Sequence, residues 1–201
     1  VAPVDDANVV LPFPARVHPV TRARSTLMIA SIATLRQKNL FPEYERALAE
    51  PHRETLLGAI AATWIPIEAA LAHYAACDSL GLSTEQQVLA GKGTFEGARG
   101  TLLGTAVQVA RQVGITPWNE LPLLQRFWDR GFDGGGVSVV RAGPKDAHVS
   151  LVQCAVLASP YFRHGLRGLL ASMMELACAK AYVTERRRGT PTSASFRVQW
   201  A

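Results

Sequence analysis

The sequence is short of charge. Charged residues make up 18% of its 201 positions, against a hydrophobic share of 48%, which excludes a disordered chain and suits a folded unit with a sizeable core. Sulfur is equally sparse. The three cysteines, Cys77, Cys154 and Cys178, are odd in number and widely spaced, with no C-x-x-C pair and no histidine at zinc-finger spacing. A disulfide framework and a structural zinc are thereby excluded, and reduced, buried thiols in a cytoplasmic protein are expected. Long apolar runs are missing too. "STLMIASIATL", Ser25 to Leu35, is too short to span a bilayer and is flanked by Arg24 and Arg36, and no signal-peptide pattern is visible.

Motifs of catalysis are also absent. There is no G-x-S-x-G elbow and no phosphate loop ending in GK[ST]. The near acids Asp129 and Asp133 are explained by a turn. The protein is therefore not expected to be an enzyme. Net charge is +5, but Arg and Lys are scattered, so a nucleic-acid partner is not expected. The one dense run, Glu185 to Arg188, reads as an exposed hairpin tip.

Residues 1–24 are proline-rich without a clean period and read as an extended arm. From Ser25 onward the pattern is helical. Met28, Ile32 and Leu35 share a face, Pro42 sits in the first turn of the next helix, and Ile67, Ala70, Leu71, Tyr74 and Cys77 mark another. Ser83 and Gln86 form a capping box ahead of a stretch with glycines at 91, 93, 97, 100 and 104. Each glycine costs about 1 kcal/mol against alanine inside a helix, so this stretch predicts close helix contact or a broken helix. A helix over Glu120 to Arg130 follows. Then the texture becomes β-branched and alternating, with one strong helix after Ser159 and Pro160. These patterns predict an α+β fold: a helical part over 25–131, then a ββαββ part over 134–200 with a four-stranded, mainly antiparallel sheet, together one domain from 25 to 201.

Three glycines in "FWDRGFDGGGVSVV" could cradle a phosphate or turn the chain. A phosphate loop needs a strand before it and a helix after it. Gly134–Gly136 have the reverse order, so a turn is predicted, with positive φ. His73 and Cys77, four residues apart on one helix, could share a metal, but no third ligand lies near, and no metal site is expected. The helix after Pro160 carries Phe162, Leu166, Leu169 and Met173, more apolar surface than one sheet face needs. An apolar pocket is predicted between these side chains and Trp64, Tyr74 and Phe127.

"TWIP", "LPLLQRFWDRGFDGGGVSVVRAGP", "SPYFRHGLRGLLASMM" and the closing "SFRVQW" together resemble a family of roughly 200-residue proteins of unknown function abundant in myxobacteria, itself similar to haem-NO-binding, vinyl-reductase (V4R) and TRAPP-like domains. The resemblance implies a ligand-binding or sensory module with a pocket for a hydrophobic small molecule or acyl chain, or else a scaffold that acts through a homodimer or protein interface. The Tyr-x-Ser-x-Arg signature of the haem branch is absent. No cofactor is therefore expected, with haem or a fatty-acyl group the two that the resemblance brings into question, the acyl group by way of Cys77 as a buried cysteine of the TRAPP-like kind, which no motif singles out.

Overall fold

A computed structural model describes residues 8–102, 115–186 and 189–201. Gly104 and the Arg187–Arg188 part of the basic run lie outside them. The helical part begins with two strand-to-helix steps side by side. Strand β2 (Arg22–Arg24; β1 precedes it in the arm) runs directly into α1 (Ser25–Gln37). After α2 (Phe41–Ala47) and α3 (Glu50–Leu57), β3 (Trp64–Pro66) runs directly into α4 (Ile67–Asp78). The two strands pair antiparallel through Ala23 and Ile65, which sets the starts of α1 and α4 beside one another. Helix α5 (Thr84–Leu102) opens with the capping box read in the sequence: the Ser83 amide donates to Gln86 Oε1 at 2.8 Å and the Gln86 amide donates to Ser83 Oγ at 3.2 Å.

The helix expected over Glu120 to Arg130 is interrupted. A short α6 (Pro117–Glu120) passes through a 3₁₀ turn at Leu121–Leu123 into α7 (Leu124–Gly131). Pro122, which has no amide hydrogen, stands in the tighter turn. Beyond it Gly135 adopts φ +77°, and Trp128 Nε1 donates to the Gly134 carbonyl at 2.7 Å. The glycine run leads straight into a strand, so the turn reading describes it.

The sheet has five strands rather than the four expected. They are β1 (Val9–Leu11), β4 (Gly136–Gly143), β5 (Asp146–Val152), β6 (Ala181–Glu185) and β7 (Ala194–Trp200), in the order β1-β4-β5-β7-β6, with antiparallel neighbours throughout. The additional strand comes from the proline-rich arm and pairs Val9 with Val140. Three residues carry no readable period, and their partner lies far along the chain. Alternation sends Val149 and Leu151 of β5 and Phe196 and Val198 of β7 inward. The outward Arg197 donates from Nε to Asp146 Oδ2 at 2.9 Å.

Helix α8 (Pro160–Met174) lies on the inner face. Its first turn is held twice: Ser159 Oγ accepts from the Phe162 amide at 3.1 Å, and Asp78 Oδ1 accepts from the Tyr161 amide at 2.7 Å. Against its other side α5 approaches backbone to backbone. A Cβ on Gly91 would sit 1.9 Å from the Gly165 carbonyl oxygen, and one on Gly168 would sit 2.0 Å from that of Val88. Close helix contact, rather than a broken helix, therefore explains Gly91 on α5 and Gly168 on α8, whereas a Cβ on Gly165 would meet its neighbours at ordinary distance. Among the described residues, no helix is long and apolar enough to cross a membrane.

Asp133 fastens the turn to β2. Its carboxylate accepts from the Thr21 and Arg22 amides at 2.9 and 2.8 Å, from Thr21 Oγ1 at 2.8 Å and from Arg22 Nε at 2.9 Å. Burial alone would raise its pKa; the bonds from Arg22 and Thr21 outweigh burial and hold it well below the carboxylate range.

Two outcomes are expected. Gly91→Ala or Gly168→Ala should lose about 1–3 kcal/mol in urea unfolding through overpacking, where an uncrowded helical glycine would gain about 1 kcal/mol from the same change. Asp133→Asn should cost about 1–3 kcal/mol near neutral pH. Because the folded pKa is depressed, the wild-type advantage should hold above the unfolded carboxylate pKa and shrink as pH falls below it.

Candidate functional site

Three elements leave a gap where they meet. Helix α8 contributes Phe162, Leu166, Leu169, Leu170 and Met173, α7 contributes Leu124, Phe127 and Trp128, and the inner face of β4 and β5 contributes Val137, Val149 and Leu151. Leu27 of α1 closes one side. The result is a cleft with a cavity volume of about 110 Å³. Its charged lining residues are Arg24, half-buried, and Arg130, exposed, which mark the open side.

Beside the cleft lies a second cavity of about 50 Å³. Leu27, Phe162, Leu166 and Leu169 line both, so these side chains form the partition. The inner cavity differs in chemistry: Ser31, Tyr74, Thr94 and Tyr161 contribute to its wall. From Ser31 a buried polar chain runs into the helical core. His73 Nε2 lies 3.0 Å from Ser31 Oγ, and His73 Nδ1 lies 2.8 Å from the Tyr44 hydroxyl. The arrangement that satisfies Tyr44 has its O–H donating to Nδ1, so that Nε2–H donates to Ser31 Oγ; the reverse would bury the Tyr44 hydrogen without an acceptor.

Burial pushes His73 down to about 3, so the imidazole is neutral at ordinary pH. Desolvation raises the Tyr44, Tyr74 and Tyr161 phenols and the Cys77 thiol. Cys154, also buried, is pushed up to about 12. The imidazole, phenols and thiols just named are thus held uncharged at ordinary pH.

The structure brings most of the sequence-predicted pocket residues together. Phe127, Phe162, Leu166, Leu169 and Met173 line the cleft, and Tyr74 lines the inner cavity. Trp64 is a correction. It lines neither cavity and instead stacks under Arg24, whose guanidinium carbon is 4.0 Å from the ring centroid. His73 and Cys77 do meet, with Sγ 3.7 Å from Nε2. Burial holds the Cys77 thiol protonated, which opposes metal binding or acylation through it, and among the described residues no group of three metal-ligating side chains occurs. Two residues escaped sequence reasoning. Tyr161, beside the more conspicuous Phe162, carries no pattern of its own. Ser31 could have been noticed as a polar residue set in the Met28–Ile32–Leu35 stripe of α1.

No family model matches the sequence, and no curated protein matches it significantly. Solved structures do match in fold. An Fe(II) unliganded H-NOX protein from K. algicida superimposes with a TM-score of 0.61 at 9% identity, covering 89% of this chain and 96% of that one. An oxygen-binding H-NOX domain related to soluble guanylate cyclases gives 0.55 at 11% identity, covering 88% and 94%. A third structure, described for haem redox potential and porphyrin distortion, gives 0.56 at 12% identity, with the same 88% and 94%. The chain shares the α+β fold of these haem-NO-binding domains. The expectation that no cofactor belongs here is thereby corrected, because the proteins that share the fold are described by their iron and haem.

The residues present do not fit a haem in either cavity. Haem iron is held by His, Cys, Met or Tyr; among the described residues the cleft offers the Met173 thioether and the second cavity offers Tyr74 and Tyr161, whose phenols burial holds protonated. None of His18, His52, His73, His148 and His164 lines either cavity. A cleft of about 110 Å³ is also far below the ~300–1,000 Å³ that encloses a drug-sized ligand.

The neutral histidine predicts a pH dependence. Its folded pKa lies near 3, below the usual 6.5, so the unfolded state binds the extra proton between those values and stability falls as pH falls through that window. His73→Gln should lower stability at pH 7 yet show a shallower decline from about pH 6.5 downward, measured by urea unfolding at a series of pH values.

Proposed function

We propose that the protein is a non-enzymatic, ligand-binding sensory module whose cleft takes a small apolar molecule. The observation that carries this reading is the cleft between α8, α7 and the β4–β5 face, walled by aliphatic and aromatic side chains and open beside Arg24 and Arg130. Engineered apolar cavities of about 150 Å³ bind benzene, so a half-open cleft of about 110 Å³ suits a body of one small ring or a short branched chain. Support comes from the fold, since one protein that shares it is described as oxygen-binding and related to soluble guanylate cyclases. A module rather than an enzyme is supported by the polar groups at hand. The imidazole, thiols and phenols near the cavities are held neutral and away from the pKa range useful for proton transfer near pH 7.

Toluene at about ten times its dissociation constant should raise the melting temperature by roughly 3–6 °C. Leu169→Trp, which fills the cleft from a half-buried position, should fold and remove that rise. The reading fails if toluene leaves wild-type melting unchanged, or if the purified protein shows one equivalent of haem by native mass spectrometry together with a Soret band.

A further inference from the structure

Two arginines of β2 lie against the same tryptophan and differ in what answers their charge. Arg22, whose guanidinium carbon is 5.5 Å from the Trp64 ring centroid, is paired with Asp133 at 2.9 Å. Arg24 lies closer to the ring, at 4.0 Å, and its Nη1 donates to the Ala62 carbonyl at 2.7 Å. Among the described residues no carboxylate pairs with Arg24.

A guanidinium presents five N–H donors in a planar fork. The Ala62 bond uses one of them, on Nη1, and leaves the Nε–Nη2 edge whole. The Trp64 stack and the Ala62 bond hold the group from two sides, so little further order is lost when an anion meets that edge. Ala62 is itself fastened, because its amide donates to Thr26 Oγ1 at 3.0 Å.

Arg24 also lines the cleft, and the charge of that lining has one sign. Arg24 and Arg130 are among its residues and no aspartate or glutamate is. The first turn of α1, which Arg24 precedes, carries no acid either. A cation without a carboxylate partner at the open side of an apolar cleft is complementary to a molecule with an apolar body and an anionic end. Such a molecule buries its body and leaves its charge at the mouth, so no charge has to be taken out of water.

We infer that the ligand of the cleft is a small monocarboxylate. Its ring or short chain lies among Phe127, Leu166, Leu169 and Met173, and its carboxylate accepts from the Nε–Nη2 edge of Arg24, whose fork matches two carboxylate oxygens. Arg130 adds positive charge at the mouth. This deepens the cleft reading above and rests on it.

Phenylacetate and its neutral amide, phenylacetamide, share one ring and nearly one shape, and toluene reports on the cleft alone. Wild-type protein, titrated calorimetrically, should bind phenylacetate about two- to tenfold more tightly than phenylacetamide, and the difference should shrink at about 0.5 M salt. Arg24→Gln should bind the two equally while keeping the rise in melting temperature with toluene. Leu169→Trp, which fills the cleft, should lose phenylacetate. Equal or weaker binding of phenylacetate by wild type, a preference that survives Arg24→Gln, or phenylacetate binding that survives Leu169→Trp would overturn the inference and leave the apolar cleft standing. The wild-type comparison and its salt dependence decide the matter even where Arg24→Gln does not fold. If toluene leaves wild-type melting unchanged, the cleft reading itself falls, and this inference with it.

Discussion

The contact between α5 and α8 is the constraint on which the rest of the structure depends. Gly91 against Gly165, and Gly168 against Val88, let two backbones meet where any side chain would hold them apart. Glycine weakens a helix on its own account, so the sequence sacrifices local helix stability for this approach. The consequence reaches the site. With α8 drawn to α5 along its glycine face, its large residues Phe162, Leu166, Leu169 and Met173 project toward α1, α7 and the sheet. Those elements are fixed by their own ties, among them Asp133 to Thr21 and Arg22. The cleft is the space left over when both sets of restraints are met. A side-chain-mediated contact between α5 and α8 would push α8 the other way and fill it.

A second constraint is electrical. The core places Tyr44, His73, Ser31, Cys77 and Tyr161 near one another and lets none of them ionise under ordinary conditions. Buried polar groups are tolerated when hydrogen-bonded, and the Tyr44–His73–Ser31 chain meets that condition. A site surrounded by such groups can discriminate by hydrogen bonding and shape. It is poorly suited to abstracting protons or to nucleophilic attack, because both require a group whose charged form is accessible.

Much of the architecture was legible in the sequence because it is written locally. Ser83 and Gln86 cap α5, Ser159 and Pro160 start α8, and alternation along β5 and β7 gives the buried face. Five cleft residues could be named because excess apolarity on a helix beside a sheet has few places to go. What escaped was non-local. β1 is three residues long, drawn from a proline-rich arm, and exists only because β4 offers an edge. Trp64 lines no cavity because the pairing of β2 with β3 brings Arg24 onto its ring. The helix expected over Glu120 to Arg130 was interrupted by a residue visible in the sequence, since Pro122 stands in the 3₁₀ turn. Tyr161 could not be told from a packing aromatic, since the meeting of its hydroxyl with Ser31 and Cys77 is a property of the assembled core.

The likeness to haem-NO-binding domains and the misfit of haem in these cavities bear on different layers of the molecule. Fold is set by the order of strands, the helix contacts and the inward face of the sheet, and these tolerate wide change in sequence; here identity to the compared structures is 9–12%. Function resides in the few side chains that meet a ligand. In this chain the side chains around the two cavities are mainly aliphatic and aromatic, with hydroxyls added in the second, and no imidazole faces either space. The same framework can hold a space between a helix and a sheet whatever fills that space, because the framework's stability comes from contacts on the other faces of α8, against α5 and against β6 and β7. That separation lets the wall of a cavity change its chemistry without unfolding the protein around it.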